Sequence, residues 1–94
     1  MISTEKFQRF VRCIDDYMIH SGKREINEME ANQELNRAGM LGDEASNPGE
    51  PLRKVLCELR DANLLPRNIT QKYGSWKIKI SGTIVKGETI FSFS

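Results

Sequence analysis

The side chains best able to do chemistry in this chain are cations, and they gather in its second half. Residues 51–94 carry eight Lys/Arg, at positions 53, 54, 60, 67, 72, 77, 79 and 86, against three Asp/Glu, whereas residues 1–50 carry six against ten. The net charge of +1 conceals this polarity. Cations concentrated this way suit electrostatic recognition of an anionic partner, although charged runs also serve simply to solvate a surface. Residues suited to covalent or metal chemistry are sparser. Asp15 and Asp16 are adjacent, but no further carboxylate or histidine converges on them, so a solvated helix face beside Arg12 is the better reading. His20 stands alone and reads as a surface residue or helix-end cation. Cys13 and Cys57 are far apart with no Cys-x-x-Cys pair, which leaves no zinc framework and favours two reduced packing residues. The sequence contains no nucleophile elbow, Gly-rich phosphate loop or HExxH motif. The expectation is a chain that performs no catalysis itself and holds neither metal nor cofactor.

A very small fold has to position those cations. With 94 residues, 38% apolar and 29% charged, the sequence predicts one soluble domain over residues 1–94 built on a single shared core. No apolar run is long enough to span a membrane, and the opening MISTEKFQRF lacks the apolar segment of a secretory signal, so the expected location is cytoplasmic.

Ser3-Thr4-Glu5 supplies a cap and a first-turn acid, and Phe7, Phe10, Val11, Ile14, Tyr17 and Met18 then fall on one helical stripe that Gly22 stops. Ile26 does not share a face with the next apolar set and reads as a short strand or extended bridge. Asn27, with Glu30 three residues on, approximates a capping box for a second helix, whose narrow seam is Ala31, Leu35 and Ala38 and whose stop is Gly39. Residues 42–49 are dense in turn formers and read as a loop.

The stretch 51–80 carries the clearest structural grammar. Pro51 suits a first helical turn, and Leu52, Val55, Leu56 and Leu59 face inward at helical spacing. Lys54, Cys57 and Asp61 then point outward, with Arg53 and Arg60 on one flank and Glu58 on the other. Asn63 followed by Leu64-Leu65-Pro66 ends that helix. The period changes to two as Trp76, Ile78 and Ile80 alternate with Lys77 and Lys79, and Gly74-Ser75 turns this strand back on residues 69–72. Residues 82–94 read as a second hairpin whose Phe91 and Phe93 share a face; they suit covering the core, covering the sheet edge or a dimer contact, the first being favoured in so small a domain.

In this order of elements, residues 4–80 resemble a winged helix-turn-helix. The segments EANQELNRAGML, NPGEPLRKVLCELRDANLLP and YGSWKIKIS are similar in style to small winged-helix modules found alone or attached to restriction endonucleases. The fold class implied is α+β: three helices with a basic β-hairpin wing, here with an additional C-terminal hairpin. In that family the third helix usually enters the DNA major groove while the wing touches backbone or minor groove. The resemblance therefore nominates Arg53, Lys54 and Arg60 on the third helix and Arg67, Lys72, Tyr73 and Lys77 on the wing. Ser46, Asn47 and the amides entering the third helix form a further candidate, for a phosphate, with Glu50 opposing it. Two features depart from the pattern. The loop from Met40 to Glu50 is longer than the usual tight turn, and Glu58 and Asp61 place acids on the exposed face of the third helix.

The expected function is double-stranded DNA binding, in a small transcription regulator or the recognition part of a larger, restriction-associated DNA-processing protein. The expected contact surface is the Arg53/Arg60 flank acting together with the wing. The alternative is a protein-interaction module on the same fold, or a homodimer formed through the C-terminal hairpin.

Overall fold

The computed structural model describes residues 2–80, in the order α1 (Thr4–Ser21), β1 (Glu25–Asn27), α2 (Glu28–Arg37), α3 (Glu50–Asp61), β2 (Ile69–Lys72) and β3 (Ser75–Lys79). The α1 stripe packs as its spacing predicts: Phe7, Phe10, Ile14 and Met18 are buried, with Val11 and Tyr17 half-buried at its margin. The Ser3 hydroxyl caps this helix by accepting from the Lys6 amide at 3.1 Å. Asn27 caps α2 in the same manner, its Oδ1 accepting from the Glu30 amide at 2.8 Å. Glu30 does not complete the box. Its carboxylate instead accepts from the Tyr17 hydroxyl at 2.5 Å and from the Lys23 ammonium, tying α2 to the end of α1.

All three described helices stop by one device. Gly22, Gly39 and Asn63 adopt left-handed φ values of 72°, 74° and 61°, which turns the next amide back toward the helix. The amides of Lys23, Met40 and Leu64 then donate to the carbonyls of Met18, Leu35 and Leu59 at 2.9, 2.8 and 2.8 Å, satisfying carbonyls the helix leaves open. The second helix ends slightly earlier than its predicted seam implies: Ala38 is its C-cap and is exposed, so Ala31 and Leu35 supply the apolar contact.

The three strands form one antiparallel sheet in the order β1-β3-β2. Its inner face contributes Ile26, Ile69, Trp76 and Ile78 to the core, where they join the α1 stripe, Ala31, Leu35, Leu52, Leu56 and Leu59. The turn lies one residue earlier than expected. Lys72 pairs with Ser75, so Tyr73 and Gly74 form the two-residue loop with φ values of 54° and 79°. Positive φ at both central residues is the turn geometry whose twist matches that of the flanking strands. Ile80 follows β3 and is half-buried.

The long connection between α2 and α3 is held in place by polar contacts. The Asp43 carboxylate accepts from the amides of Glu44 and Gly49 at 2.8 and 2.9 Å, and the Asp43 amide donates to Asn36 at 3.3 Å. Gly49 is required at the end of this loop for two reasons. Its φ is 87°, and a Cβ there would come within 3.0 Å of Met29 Cα. The result is a small α+β domain of three helices and a three-stranded antiparallel sheet, an arrangement compatible with a winged-helix layout. Among the described residues no helix is long and apolar enough to cross a membrane. The second hairpin expected over residues 82–94, with Phe91 and Phe93, lies outside the described residues.

Candidate nucleic-acid interface

The third helix offers fewer free cations than its sequence promises. Arg53 sits where α3 faces α2, and its guanidinium is committed there: it donates to the Glu28 carboxylate at 3.1 Å, to the Pro48 carbonyl at 3.3 Å and to Asn47 Oδ1 at 2.6 Å. With the Arg53 and Glu28 side chains only 27% and 10% exposed, this is an internal clamp between α2, the loop and α3. Withdrawing Arg53 toward a phosphate would strand a largely buried carboxylate, a costly exchange. Of the expected Arg53/Arg60 contact flank, Arg53 is thus engaged within the fold.

At the expected phosphate site, the N-terminus of α3, the amides have partners within the fold. The Glu50 amide donates to the Asn47 carbonyl at 3.1 Å, Pro51 has no N–H, and the Arg53 amide reaches Gly49 at 2.9 Å. The Leu52 amide donates to Asn32 Oδ1 at 2.9 Å. Asn32 is a residue of α2, fully buried, whose Nδ2 donates in turn to the Leu41 carbonyl at 3.3 Å. It supplies from another helix the cap that Gly49, lacking a side chain, cannot supply locally. Asn47 bonds Glu50 at 2.5 Å as well as Arg53, and Ser46 bonds Glu44 at 3.3 Å. The anion-binding capacity of this helix end is thus spent inside the fold.

Arg60 is drawn to the wing. It donates to Gln71 Oε1 at 2.6 Å and to Asp61 at 3.2 Å, and its guanidinium lies 5.9 Å from the centroid of the buried Trp76 ring. It therefore buttresses β2 and β3 against α3 while remaining partly accessible. Lys54 projects into solvent, 3.5 Å from Glu50.

The sheet does better. Residues opposite one another across antiparallel strands share a face, as do alternate residues along a strand. With Trp76 and Ile78 turned to the core, Lys77 and Lys79 lie on the outer face, beside Thr70 and Glu25, and Lys72 joins them opposite Ser75. Three lysines against one glutamate make this a cationic face. The glutamate is Glu25, 3.3 Å from Lys77 in an exposed pair. Such pairs contribute little to stability and exchange readily for a stronger anion. The tip beyond them is Tyr73, 96% exposed, with the Lys72 ammonium 5.7 Å from its ring centroid. Arg67 is exposed at the entry to β2 and makes interactions of its own. Lys79 was missing from the sequence-derived set, although the alternation Trp76-Lys77-Ile78-Lys79 carried the signal.

A concavity of about 680 Å³ is lined by Tyr17, Lys23, Asn27, Met29, Glu30 and Gln33 among others. Its charges answer one another. The Lys23 hydrogen bond, followed by that from Tyr17, holds the Glu30 carboxyl below its ordinary range, and the Glu30 hydrogen bond raises both Tyr17 and Lys23. That internal pairing leaves the groove a weaker claim to a charged ligand than the sheet face. Among the described residues no group of three or more His, Cys, Asp or Glu is arranged to hold a metal. His20 Nδ1 donates to the Asp16 carbonyl at 2.8 Å, closing the last turn of α1. Neither a protein-family model, nor a curated protein, nor a solved structure matches the chain.

Proposed function

We propose that this chain is a winged-helix module that binds double-stranded DNA, meeting the phosphate backbone mainly with its wing and outer sheet face. The observation that carries the reading is the row Lys72, Lys77 and Lys79 on one solvent face of the sheet. Arg60 acts chiefly by bracing the wing. Contacts of this kind fix position and register; sequence is read by base-edge contacts, for which the acidic Glu58 and Asp61 make α3 poorly suited on its own. The reading is therefore a positioning module: a small cytoplasmic regulator or the recognition part of a larger DNA-processing protein, with no catalytic step of its own.

A salt titration of duplex binding tests it. Neutralising about three phosphates gives a slope of log K against log salt near −3, and replacing Lys77 and Lys79 by Ala together lowers that slope by about two. Absence of duplex binding at low ionic strength would remove the reading. A protein-interaction or self-association role is the second reading, favoured by the mixed face of α3, where Lys54, Glu58 and Asp61 share an outward stripe. Mass measured over rising protein concentration separates the two: a dimer that ignores DNA replaces the first reading, and a monomer that binds DNA retires self-association.

A further inference from the structure

Tyr73 is the most exposed large hydrophobic side chain of the described residues and occupies a backbone conformation that suits it badly. Its φ is 54°, in the left-handed region where glycine or asparagine is at ease and a bulky aromatic is strained. At 96% exposure its ring packs on no part of the core. The turn requires this backbone conformation but not a tyrosine in it, and an aromatic ring held there with only Lys72 beside it is placed for a contact outside the fold.

The element behind it is stiff. Its loop is the minimal two-residue turn. At its base, Asn68 is buried, accepts from the Lys79 amide through its own carbonyl at 2.8 Å and donates from Nδ2 to the Lys79 carbonyl at 3.1 Å. Arg60 ties its side to α3. A rigid prong thus carries one aromatic ring, with Lys72 beside it and Lys77 and Lys79 behind it on one face.

Resting on the reading of this face as a nucleic-acid surface, we propose that Tyr73 stacks on the exposed terminal base pair of a duplex end or single-strand junction. The lysines hold the flanking phosphates, so the module prefers junctions to uninterrupted duplex. An aromatic ring can stack only on a base face that is open. In continuous duplex every base face is covered by its neighbours and must be unstacked first, whereas at an end or junction one face is free.

The test compares two DNAs of the same duplex sequence by fluorescence anisotropy. One is carried in a covalently closed circle with neither ends nor loops; the other is linear, with one single-strand overhang and 2-aminopurine at the last base pair. The expected result is about tenfold tighter binding to the overhang DNA, with quenching of 2-aminopurine on binding. Tyr73→Ala abolishes both the preference and the quenching, bringing overhang affinity down to that for the circle, while Tyr73→Trp keeps them. Tyr73→Asn, which suits the turn, raises Tm by about 4 °C while losing the preference, separating the tip's contact role from its structural one. Equal affinity of the unaltered protein for both DNAs, or a preference that survives Tyr73→Ala, would overturn the proposal while leaving duplex binding standing. Failure to bind either DNA at low salt would overturn both.

Discussion

Asn32 shows how much one side chain can organise. Its amide oxygen takes the Leu52 N–H and its amide nitrogen serves Leu41, so a single buried residue fixes where α2, the loop and the start of α3 meet. Replacement by Ala leaves a buried N–H and a carbonyl without partners, and the expected loss is about 1–3 kcal/mol. Urea denaturation of Asn32→Ala measures this, and hydrogen exchange at the Leu52 amide, which should quicken ahead of its neighbours, shows that the lost bond is the cause. No local pattern marks this role. A seam of Ala31, Leu35 and Ala38 leaves residue 32 looking like an ordinary polar side chain, and its partner lies 20 residues away. Arg53 was illegible for a related reason. Its type and helical position suggest a phosphate contact, and only the packing of α2 on α3 reveals Glu28, 25 residues earlier, as the group it answers. Lys79, by contrast, was legible from alternation alone.

Between elements, the contact of α1 with α2 carries a pH dependence of its own. Glu30 is held below its ordinary value of 4.5 by Lys23 first and Tyr17 second. A depressed carboxyl contributes stability that is complete above the ordinary value and is lost as pH falls through the folded one. Lys23 and Tyr17 are raised above 10.5 and 10.0, chiefly through their hydrogen bonds to Glu30, so their part is present below those values and lost in alkali. The gap in urea midpoint between the protein and Glu30→Gln should hold steady from about pH 6 to 9 and close in acid below the carboxylate range. A gap unchanged at pH 3 would show that the cluster contributes through packing and not charge. The elements themselves were well marked in the sequence because their cues are local: a stripe for α1, an Asn cap for α2, Pro51 for α3 and left-handed stops at Gly22 and Gly39. The wing turn lies one residue earlier than the pattern predicts because Gly74 occupies the second turn position and Tyr73 the first.

Across the whole molecule, the sheet is ordered against the sequence. β3, the last strand described, lies between β1 and β2 and pairs with both, so neither outer strand has its partner until residue 79 is in place. A chain ending at Lys72 loses Trp76 and Ile78 from the core as well as the strand that joins β1 to β2. It should show no cooperative urea transition by circular dichroism, despite keeping all three helix sequences. For a chain being synthesised, commitment comes late. Three helices can emerge and begin to pack while Ile26 waits for a neighbour still to be translated, and the cationic face exists only after its central strand arrives. A prematurely ended product therefore has no sheet on which to display its lysines.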